Sequence, residues 1–453
     1  MNKSKIILLF YLTLIEINIM GQTSQTNSKL QIEIGKNILL NEVSNNEQFI
    51  EPHITSHPSN PNHLLAVSAV FPAPYKSIDP NDVRSVSFVS NDGGLTWSRH
   101  KFSAIGGLDA WVTLTDNIAV TTILGKHSVF SDYKFNSPNS QLLCYFSFDG
   151  GYTWSKTPQS MGQYHDGPRS SATKDGSIFI ASHQSFSREN TRIYVARILQ
   201  DAFLERTTFI NPSNLNIAVD GITTYSDGTL AIAYQDFQRP ITGAMRDKKG
   251  NWRGRLKTRR EWLVTSKDKG ITFSAPKLIS EEFYDRANDL SVDNSDSKYK
   301  NRIYCVGSNT NYKSILLTYS DDYGNTWSDI TFIEPSNLEG VRKEPHIAIN
   351  KDGTVAIAWF DSRDNPEKRL CYSPYITFSM DGGKTFSKPV KVANEKSCLD
   401  PSLSGKAIAN RFPEGGDYFG LNASADGKFH ILWPDARTGK FDLYTSAITL
   451  KYN

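Results

Sequence analysis

An eight-residue motif, Ser-x-Asp-x-Gly-x-Thr followed by Trp or Phe, occurs five times in this chain of 453 residues. The copies occupy residues 90–97, 147–154, 266–273, 320–327 and 379–386. In each copy the Asp carboxylate can accept hydrogen bonds from later backbone N–H groups, and the Gly allows a positive φ without steric cost. The motif therefore predicts a tight hairpin turn whose aromatic residue is available to pack between neighbouring sheets.

The spacing of the motif predicts how many structural units the chain contains. Asp92 and Asp149 are 57 residues apart, Asp268 and Asp322 are 54 apart, and Asp322 and Asp381 are 59 apart. The interval of 119 residues between Asp149 and Asp268 is close to two periods, so one unit between them lacks the motif. A regular period of this length in a strand-rich sequence predicts a radial array of β-sheets.

The motif and its spacing resemble those of the Asp-box (BNR-repeat) propellers of the sialidase superfamily. The resemblance covers nearly the whole chain beyond its N-terminus and implies an all-β propeller fold. Seven units can be traced, and the last ends one strand short, after residues 443–450. Residues 30–40 form an isolated extended segment that would complete this blade and remove the exposed sheet edges. We therefore predict seven blades closed by an N-terminal strand, with six blades, the number in sialidases, as the alternative.

The N-terminus predicts export. A basic stretch, residues 1–5, precedes an apolar run over residues 6–14, a pattern typical of a secretion signal. We predict a signal peptide over residues 1–21 and a single propeller domain over residues 22–453, in a periplasmic or secreted protein. The net charge of +3 does not suggest a nucleic-acid partner. No later apolar stretch reaches the ~18 residues that a spanning helix needs, so membrane insertion is not expected, and we expect a monomer.

The four cysteines predict one possible disulfide and no zinc site. Cys371 and Cys398 are able to pair in an exported protein, whereas Cys144 and Cys305 are expected to be small buried strand residues. No Cys-x-x-Cys pair indicates a zinc site. No metal or other cofactor is predicted.

Candidate functional residues follow from the architecture, because the innermost strand of each propeller blade lines the central channel. The predicted catalytic residues are His53, His165, His346 and Tyr418. The predicted substrate-binding residues on these strands are Glu51, Asp109, Trp111, Arg169 and Glu344, and those on a second ring, after the second strands, are Arg239, Arg363 and Arg437.

The histidines favour elimination as the reaction type. A histidine with a pKa near ~6.5 is suited to proton abstraction at neutral pH, and an arginine can neutralise a sugar carboxylate. With a tyrosine as partner, this set is similar to that of propeller-type polysaccharide lyases and uronate-oligosaccharide dehydratases. Our main hypothesis is therefore β-elimination on an acidic, uronate-containing glycan. The alternative for each histidine is a hydrogen-bonded structural role in the repeated Glu-Pro-His of residues 51–53 and 344–346.

Two further hypotheses remain open. Sialidases use an arginine triad, a Tyr–Glu pair and an acidic Asp, but their N-terminal Arg-Ile-Pro signature is replaced here by Glu-Pro-His-Ile at residues 51–54. A sialidase-type glycoside hydrolase would draw on Glu51, Glu344, Asp109 and Asp166 as carboxylates and on Tyr418 as nucleophile. The third hypothesis is a glycan-binding propeller without catalysis.

Clustered arginines also have two interpretations each. The basic insertion over residues 239–260 predicts an acidic polysaccharide as partner, although such runs are often solvated loops. Asp-x-Arg recurs at residues 361–363 and 435–437, with a looser Asp236 and Arg239. These pairs either clip a loop to its neighbour through an ion pair or present a guanidinium to a sugar carboxylate.

Overall fold

The chain folds into a ring of seven antiparallel sheets in a computed structural model that describes residues 30–41, 46–75, 80–126, 141–187, 190–237, 259–283, 288–309, 311–334 and 337–452. The predicted seven-bladed propeller is confirmed. The predicted signal peptide, residues 1–21, lies outside the described residues.

Each blade is a meander that runs from an inner to an outer strand. Two short strands precede the first blade: β1 (Leu30–Ile34) and β2 (Ile38–Leu39). Blade one contains β3 (Glu47–Ser56), β4 (Leu64–Pro72), β5 (Arg84–Ser90) and β6 (Ser98–Lys101). Blade two contains β7 (Ile105–Leu114), β8 (Ala119–Lys126), β9 (Gln141–Ser147) and β10 (Gln159–Gln163). Blade three contains β11 (His165–Ala172), β12 (Ile178–Ser187), β13 (Asn190–Ile198) and β14 (Leu204–Ile210).

The second half of the ring repeats the pattern. Blade four contains β15 (Asn216–Thr224), β16 (Leu230–Phe237), β17 (Arg259–Ser266) and β18 (Lys277–Ser280). Blade five contains β19 (Asp289–Val292), β20 (Ile303–Ser308), β21 (Ile315–Ser320) and β22 (Thr331–Phe332). Blade six contains β23 (Arg342–Ile349), β24 (Val355–Asp361), β25 (Ser373–Ser379) and β26 (Val390–Lys391). Blade seven contains β27 (Gly420–Ala423), β28 (Phe429–Asp435) and β29 (Asp442–Tyr452).

The N-terminal segment closes the ring as predicted. Strand β1 pairs antiparallel with β29, with Leu30 opposite Tyr452 and Ile34 opposite Ile448. Strand β2 continues the pairing further along β29. The predicted single strand over residues 30–40 is thus divided into two, and the Gly35 backbone between them still bonds to the Ala447 carbonyl at 2.8 Å.

The repeated motif forms the turn that its residues predict. In blade one, Asp92 accepts hydrogen bonds from the Thr96 backbone N–H at 2.9 Å and from the Thr96 hydroxyl at 2.6 Å. Ser90 accepts a bond from the Gly94 N–H at 2.9 Å, and Gly94 has a φ of 92°. The same bonds recur in blades two, four, five and six. Blade three has no copy of the motif, which explains the doubled interval.

Apolar side chains fill the layers between adjacent blades, and the aromatic residue of each motif joins one of them. Trp154 lies between blades one and two beside Phe102 and Tyr145, and its indole N–H donates to Ser87 of the preceding blade at 3.0 Å. The other four aromatic residues pack in the equivalent layers. The residue predicted to pack between sheets therefore does so in every copy.

The two ends of the ring differ. One end, which we call the box face, is formed by two sets of turns. These are the turns between the first and second strands and the turns between the third and fourth strands, and the second set carries the motifs. There the His63 ring contacts the Gly150 carbonyl of the next blade at 2.7 Å. The turns between second and third strands and the connections between blades form the opposite end, the mouth face.

A long connection covers part of the mouth face between blades six and seven. It contains two short helices, α1 (Pro401–Ser404) and α2 (Lys406–Arg411), and it packs on blade one through Ile408 and Phe412. The side chain of Asp400 caps α1. A disulfide joins Cys371 to Cys398 and fastens this connection to blade six, so the predicted pairing is confirmed. Cys144 and Cys305 are buried, as predicted.

Candidate active site

A bulge interrupts the inner strands of four blades, and in three of them the residue at the bulge is acidic. The strand register shifts at Glu51, Asp109, Gly167 and Glu344, which are at the same position in blades one, two, three and six. All four residues have a left-handed backbone conformation, with φ of 53°, 49°, 56° and 53°. Such a backbone is costly for a residue with a Cβ and is typical of functional sites. The residues two positions further along are His53, Trp111, Arg169 and His346.

Three carboxyl groups from blades one to three form a connected chain. Glu51 is buried, and its carboxylate accepts weak bonds from the Asp109 N–H and the Asp417 N–H, both at 3.4 Å. Asp109 is half-buried, is hydrogen-bonded to Asp166, and also accepts a bond from the Gly167 N–H at 3.4 Å. The Asp166 side chain is 43% exposed. The chain thus leads from a buried carboxyl group to an exposed one.

Two carboxyl groups of this series have raised pKa values. Burial, and then the charge of Asp417, raise the pKa of Glu51 to about 7. Burial, and then the charges of Glu51 and Asp166, raise the pKa of Asp109 well above its ordinary value. Neighbouring carboxyl groups that cannot all ionise are a recurrent source of proton donors in enzymes.

An aromatic and cationic cluster adjoins the acidic chain. The His53 ring stacks on Trp111 with centroids 3.7 Å apart, and the Arg169 guanidinium lies 4.4 Å from the Trp111 ring. Arg169 also lies 4.8 Å from the ring of Tyr418. The Tyr418 hydroxyl donates to the Ala110 carbonyl at 3.0 Å. The structure therefore brings four of the predicted residues into one group.

The three predicted catalytic histidines have distinct surroundings. His165 is buried inside blade three between Ser182, at 2.7 Å, and Gln184, at 2.9 Å, and burial lowers its pKa to about 3. His346 contacts the Asp289 carboxylate at 3.2 Å. The third, His53, has a pKa well below its ordinary value because of burial and then the charge of Arg169.

Two of these histidines join neighbouring blades. The His53 Nδ1 accepts a hydrogen bond from the Val112 N–H at 3.4 Å, and the His346 Nε2 accepts one from the Phe419 N–H at 3.3 Å. In both cases the donor lies on the inner strand region of the following blade. The repeated Glu-Pro-His thus combines a bulge with a contact between blades.

The predicted arginines Arg363 and Arg437 follow the second strands of blades six and seven, outside the inner strands. Arg363 and Arg437 bond to the carboxylates of Asp361 and Asp435, at 2.5 and 2.8 Å, and Arg363 also pairs with Glu334. Their role in substrate binding stays a prediction.

Arg239 and most of the basic insertion over residues 239–260 lie outside the described residues. Within it, Arg260 pairs with Asp236 at 2.7 Å. The predicted pairing of Asp236 with Arg239 stays a prediction, because Arg239 lies outside the described residues. Glu344 is buried at its bulge in blade six and lies close to Lys343 and Tyr372. It is not part of the chain of carboxyl groups described above.

A second buried carboxyl pair was not predicted. Asp220 on β15 and Glu261 on β17 are buried and lie close enough for each to affect the pKa of the other, and Glu261 accepts a hydrogen bond from Asn288 at 2.9 Å. Burial raises the pKa of Glu261 to about 7 and, with the charge of Glu261, that of Asp220 well above its ordinary value. No motif marks Glu261, because it lies in the middle of an ordinary third strand.

We expect Glu261→Gln to stabilise the protein at pH 8. Folding raises the pKa of Glu261 from 4.5 to about 7. The protonated Glu261 side chain therefore contributes its full stability below pH 4.5, and this contribution is lost as the pH rises through about 7. The amide cannot ionise, and the free energy of unfolding relative to wild type should rise by about 3 kcal/mol between pH 4 and pH 8. Urea denaturation at both values measures this.

A matched variant in the same blade is Asp236→Asn. It weakens the ion pair with Arg260 and should destabilise the protein at pH 8. The raised pKa of Glu261 would be contradicted if the free energy of unfolding of Glu261→Gln differed from that of wild type by the same amount at pH 4 and at pH 8.

The repeat and the ring together define the class of protein: an Asp-box β-propeller. Residues 145–156 match the family model described as BNR/Asp-box repeat. The predicted resemblance to Asp-box propellers is thereby confirmed, whereas the resemblance to propeller-type lyases stays a prediction. No curated protein matches the chain. No helix in the described part of the chain is long and apolar enough to cross a membrane.

Three solved structures are similar to this chain. A Dyadobacter fermentans protein of unknown function is similar with a TM-score of 0.54 at 11% identity, over 93% of this chain and 99% of that one. The Hadza microbial sialidase Hz136 has a TM-score of 0.48 at 14% identity, over 88% of this chain and 65% of that one. Trypanosoma rangeli sialidase in complex with sialic acid has a TM-score of 0.44 at 12% identity, over 92% of this chain and 58% of that one.

Proposed function

We propose that the protein is a glycoside hydrolase that cleaves a carboxylate-bearing glycan at the channel mouth. The observation that carries the proposal is the hydrogen-bonded pair Asp109 and Asp166, in which the raised pKa of Asp109 retains a proton beside an exposed carboxyl group. Hydrolysis of a glycosidic bond requires such a group, because the leaving oxygen must be protonated as the bond breaks.

The surroundings of the pair suit an acidic substrate. Arg169 lies close enough to lower the pKa of Asp109, and it offers a positive charge beside the acid. A guanidinium binds a carboxylate more specifically than an ammonium does, because it presents parallel N–H donors. The substrate class is therefore a sugar with a carboxylate, such as a uronate or a sialic acid.

Hydrolysis is favoured over elimination by the state of the histidines. A base that abstracts a carbon-bound proton needs a free ring nitrogen and a pKa near the working pH. Both ring nitrogens of His165 and of His346 are hydrogen-bonded, and the pKa values of His53 and His165 are lowered. Tyr418 is 1% exposed, and burial raises its pKa.

The proposed step uses this chain's own residues. Asp166 donates a proton to the glycosidic oxygen while the bond to the anomeric carbon breaks. Asp109, whose pKa is raised, supplies this proton to Asp166, and the negative charge of Glu51 helps to keep the proton on the pair until the bond breaks. His183, whose Nε2 lies 3.6 Å from Asp166, orients that carboxyl group. Water then adds to the anomeric carbon, and its proton restores the acid.

We expect Asp166→Asn and Asp109→Asn to lower kcat/KM by about a hundredfold or more, as removal of a general acid does. The substrates are 4-methylumbelliferyl sialoside and glucuronide, with the neutral galactoside for comparison, and released fluorophore is measured. The matched control is Glu261→Gln. Glu261 is also buried with a raised pKa but does not belong to the series Glu51, Asp109 and Asp166, so this variant should keep the activity. In Glu51→Gln the alkaline limb of the pH profile should move to lower pH, because a negative charge that raises the pKa of Asp109 is lost.

Two outcomes would overturn the proposal. One is a rise in absorbance from a new C4–C5 double bond with uronate oligosaccharides, without a gain in reducing ends, because this product belongs to elimination. The other is a wild-type protein that binds acidic glycans but releases no product from any of them, which corresponds to a binding propeller.

A further inference from the structure

A separate group of side chains lies on the mouth face of blade three. The guanidinium of Arg192, at the start of β13, lies over two exposed rings, 3.7 Å from the centroid of Phe209 and 4.8 Å from that of Phe186. The two phenylalanines are 46% and 41% exposed. Tyr164, at the entry to the inner strand, lies 5.2 Å from Phe186. The group therefore extends from the inner strand to the outer edge of the blade.

The arginine is held in place by neutral groups. Its Nε donates to the Gln184 side chain at 2.8 Å, and Gln184 is fixed in turn by the Gln163 carbonyl at 3.1 Å and by His165 at 2.9 Å. Among the residues that the structure describes, Arg192 forms no ion pair with a carboxylate, in contrast to Arg197 on the same strand, which pairs with Asp175 and Glu205. His165, a predicted catalytic residue, thus supports Arg192 through Gln184.

The geometry determines which donors remain for a ligand. Rings on the faces of a guanidinium leave its edges free for hydrogen bonds in its own plane. Among the described residues, Gln184 accepts from the Nε of Arg192, and the two Nη groups remain as a parallel pair of donors. Apolar walls strengthen a charged hydrogen bond by excluding water, and exposed aromatic rings provide a surface for the C–H groups of a sugar.

We propose that Arg192, Phe186, Phe209 and Tyr164 form a binding subsite for a second carboxylate-bearing sugar unit of the glycan. The ligand class rests on the proposed function, and the subsite lies on the same face as the channel mouth. The unit bound here is separate from the one beside Asp166. The subsite therefore makes the protein prefer an acidic chain to a single acidic sugar.

The test compares a long ligand with a small one. In Arg192→Gln the affinity for hexagalacturonate, measured by calorimetry, should fall about ten- to a hundredfold, the loss expected for a charge-assisted bidentate bond. Fully methyl-esterified hexagalacturonate should bind wild type and variant equally weakly. Turnover of the 4-methylumbelliferyl monosaccharides should be unchanged in Arg192→Gln, because they do not reach blade three.

Controls separate this inference from the proposed function. Arg206→Gln removes an arginine from the outer strand of the same blade that pairs with Glu205, and it should leave hexagalacturonate binding unchanged. Phe209→Ala, which keeps the charge, should weaken binding and thereby test the aromatic wall. If no substrate is turned over but Arg192→Gln still weakens binding, the subsite stands and the hydrolase fails. Equal affinities of wild type and Arg192→Gln, or no binding to wild type, overturn the subsite.

Discussion

Deletion of residues 22–42 should abolish the stable fold. It removes β1 and β2, and with them the partner of the 11-residue strand β29. Ile32 and Ile34 would no longer pack on the layer between blades six and seven, and the buried Leu40 would be lost from the next layer. The bond from the Leu443 N–H to Asn41, at 2.8 Å, would be lost as well. An exposed edge of this length promotes pairing with other chains.

The measurement is urea denaturation followed by circular dichroism, together with light scattering. We expect the deleted chain to aggregate and to show no cooperative transition. Deletion of residues 22–28, which leaves both strands, should have almost no effect. A synthetic peptide of residues 30–41 added to the deleted chain should restore the transition, whereas a scrambled peptide should not. A deleted chain with the denaturation midpoint of the full chain would show that the closure contributes nothing.

The second large effect is expected for Asp361→Ala in blade six. The Asp361 carboxylate is fully buried and accepts bonds from the Trp359 indole at 2.8 Å and from the Arg363 N–H at 2.7 Å. It also lies 3.4 Å from the Arg342 guanidinium, whose side chain is fully buried. Removal of a partner from a buried ion pair leaves an uncompensated charge, which typically costs about 3–5 kcal/mol.

Chemical denaturation measures this loss. Asp361→Asn, which keeps one acceptor oxygen and the shape, should lose clearly less than Asp361→Ala. Asp435 forms the equivalent bonds with Trp433 and Arg437 in blade seven, at 2.9 and 2.8 Å. Asp435→Ala therefore offers a repeat of the experiment at a second site. A loss below about 1 kcal/mol for both alanine variants, the range of exposed pairs, would contradict the structural role of these bonds.

Most of the fold could be predicted from the sequence because its determinants are local. The Ser, Asp, Gly and Thr of each motif bond within eight residues, so the turn does not depend on the rest of the chain. The closure could be predicted because a blade without an outer strand leaves an edge that another segment must cover. The helices α1 and α2 were not predicted. The available signal was Asp400 followed by Pro401, an N-cap and a proline at the first helical position.

The candidate site was only partly predictable, because its contacts depend on the geometry of the ring. The sequence indicates which residues lie on inner strands, and Glu51, Asp109 and Arg169 were identified in this way. It does not indicate that Asp109 bonds to Asp166 of the next blade. The group around Arg192 was missed as well, because Phe186, Arg192 and Phe209 come from three strands and follow no shared spacing.

The separation of the box face from the mouth face has a consequence for how such proteins diverge. The motif residues of five blades bond to one another at the box face, whereas the carboxyl groups, Arg169 and Arg192 lie towards the mouth face. Substitutions and insertions at the mouth face thus leave the folding signals intact. In a scaffold of this kind the ligand can change through substitutions in the loops. The motif that identifies the fold stays the same and therefore does not indicate which ligand is bound.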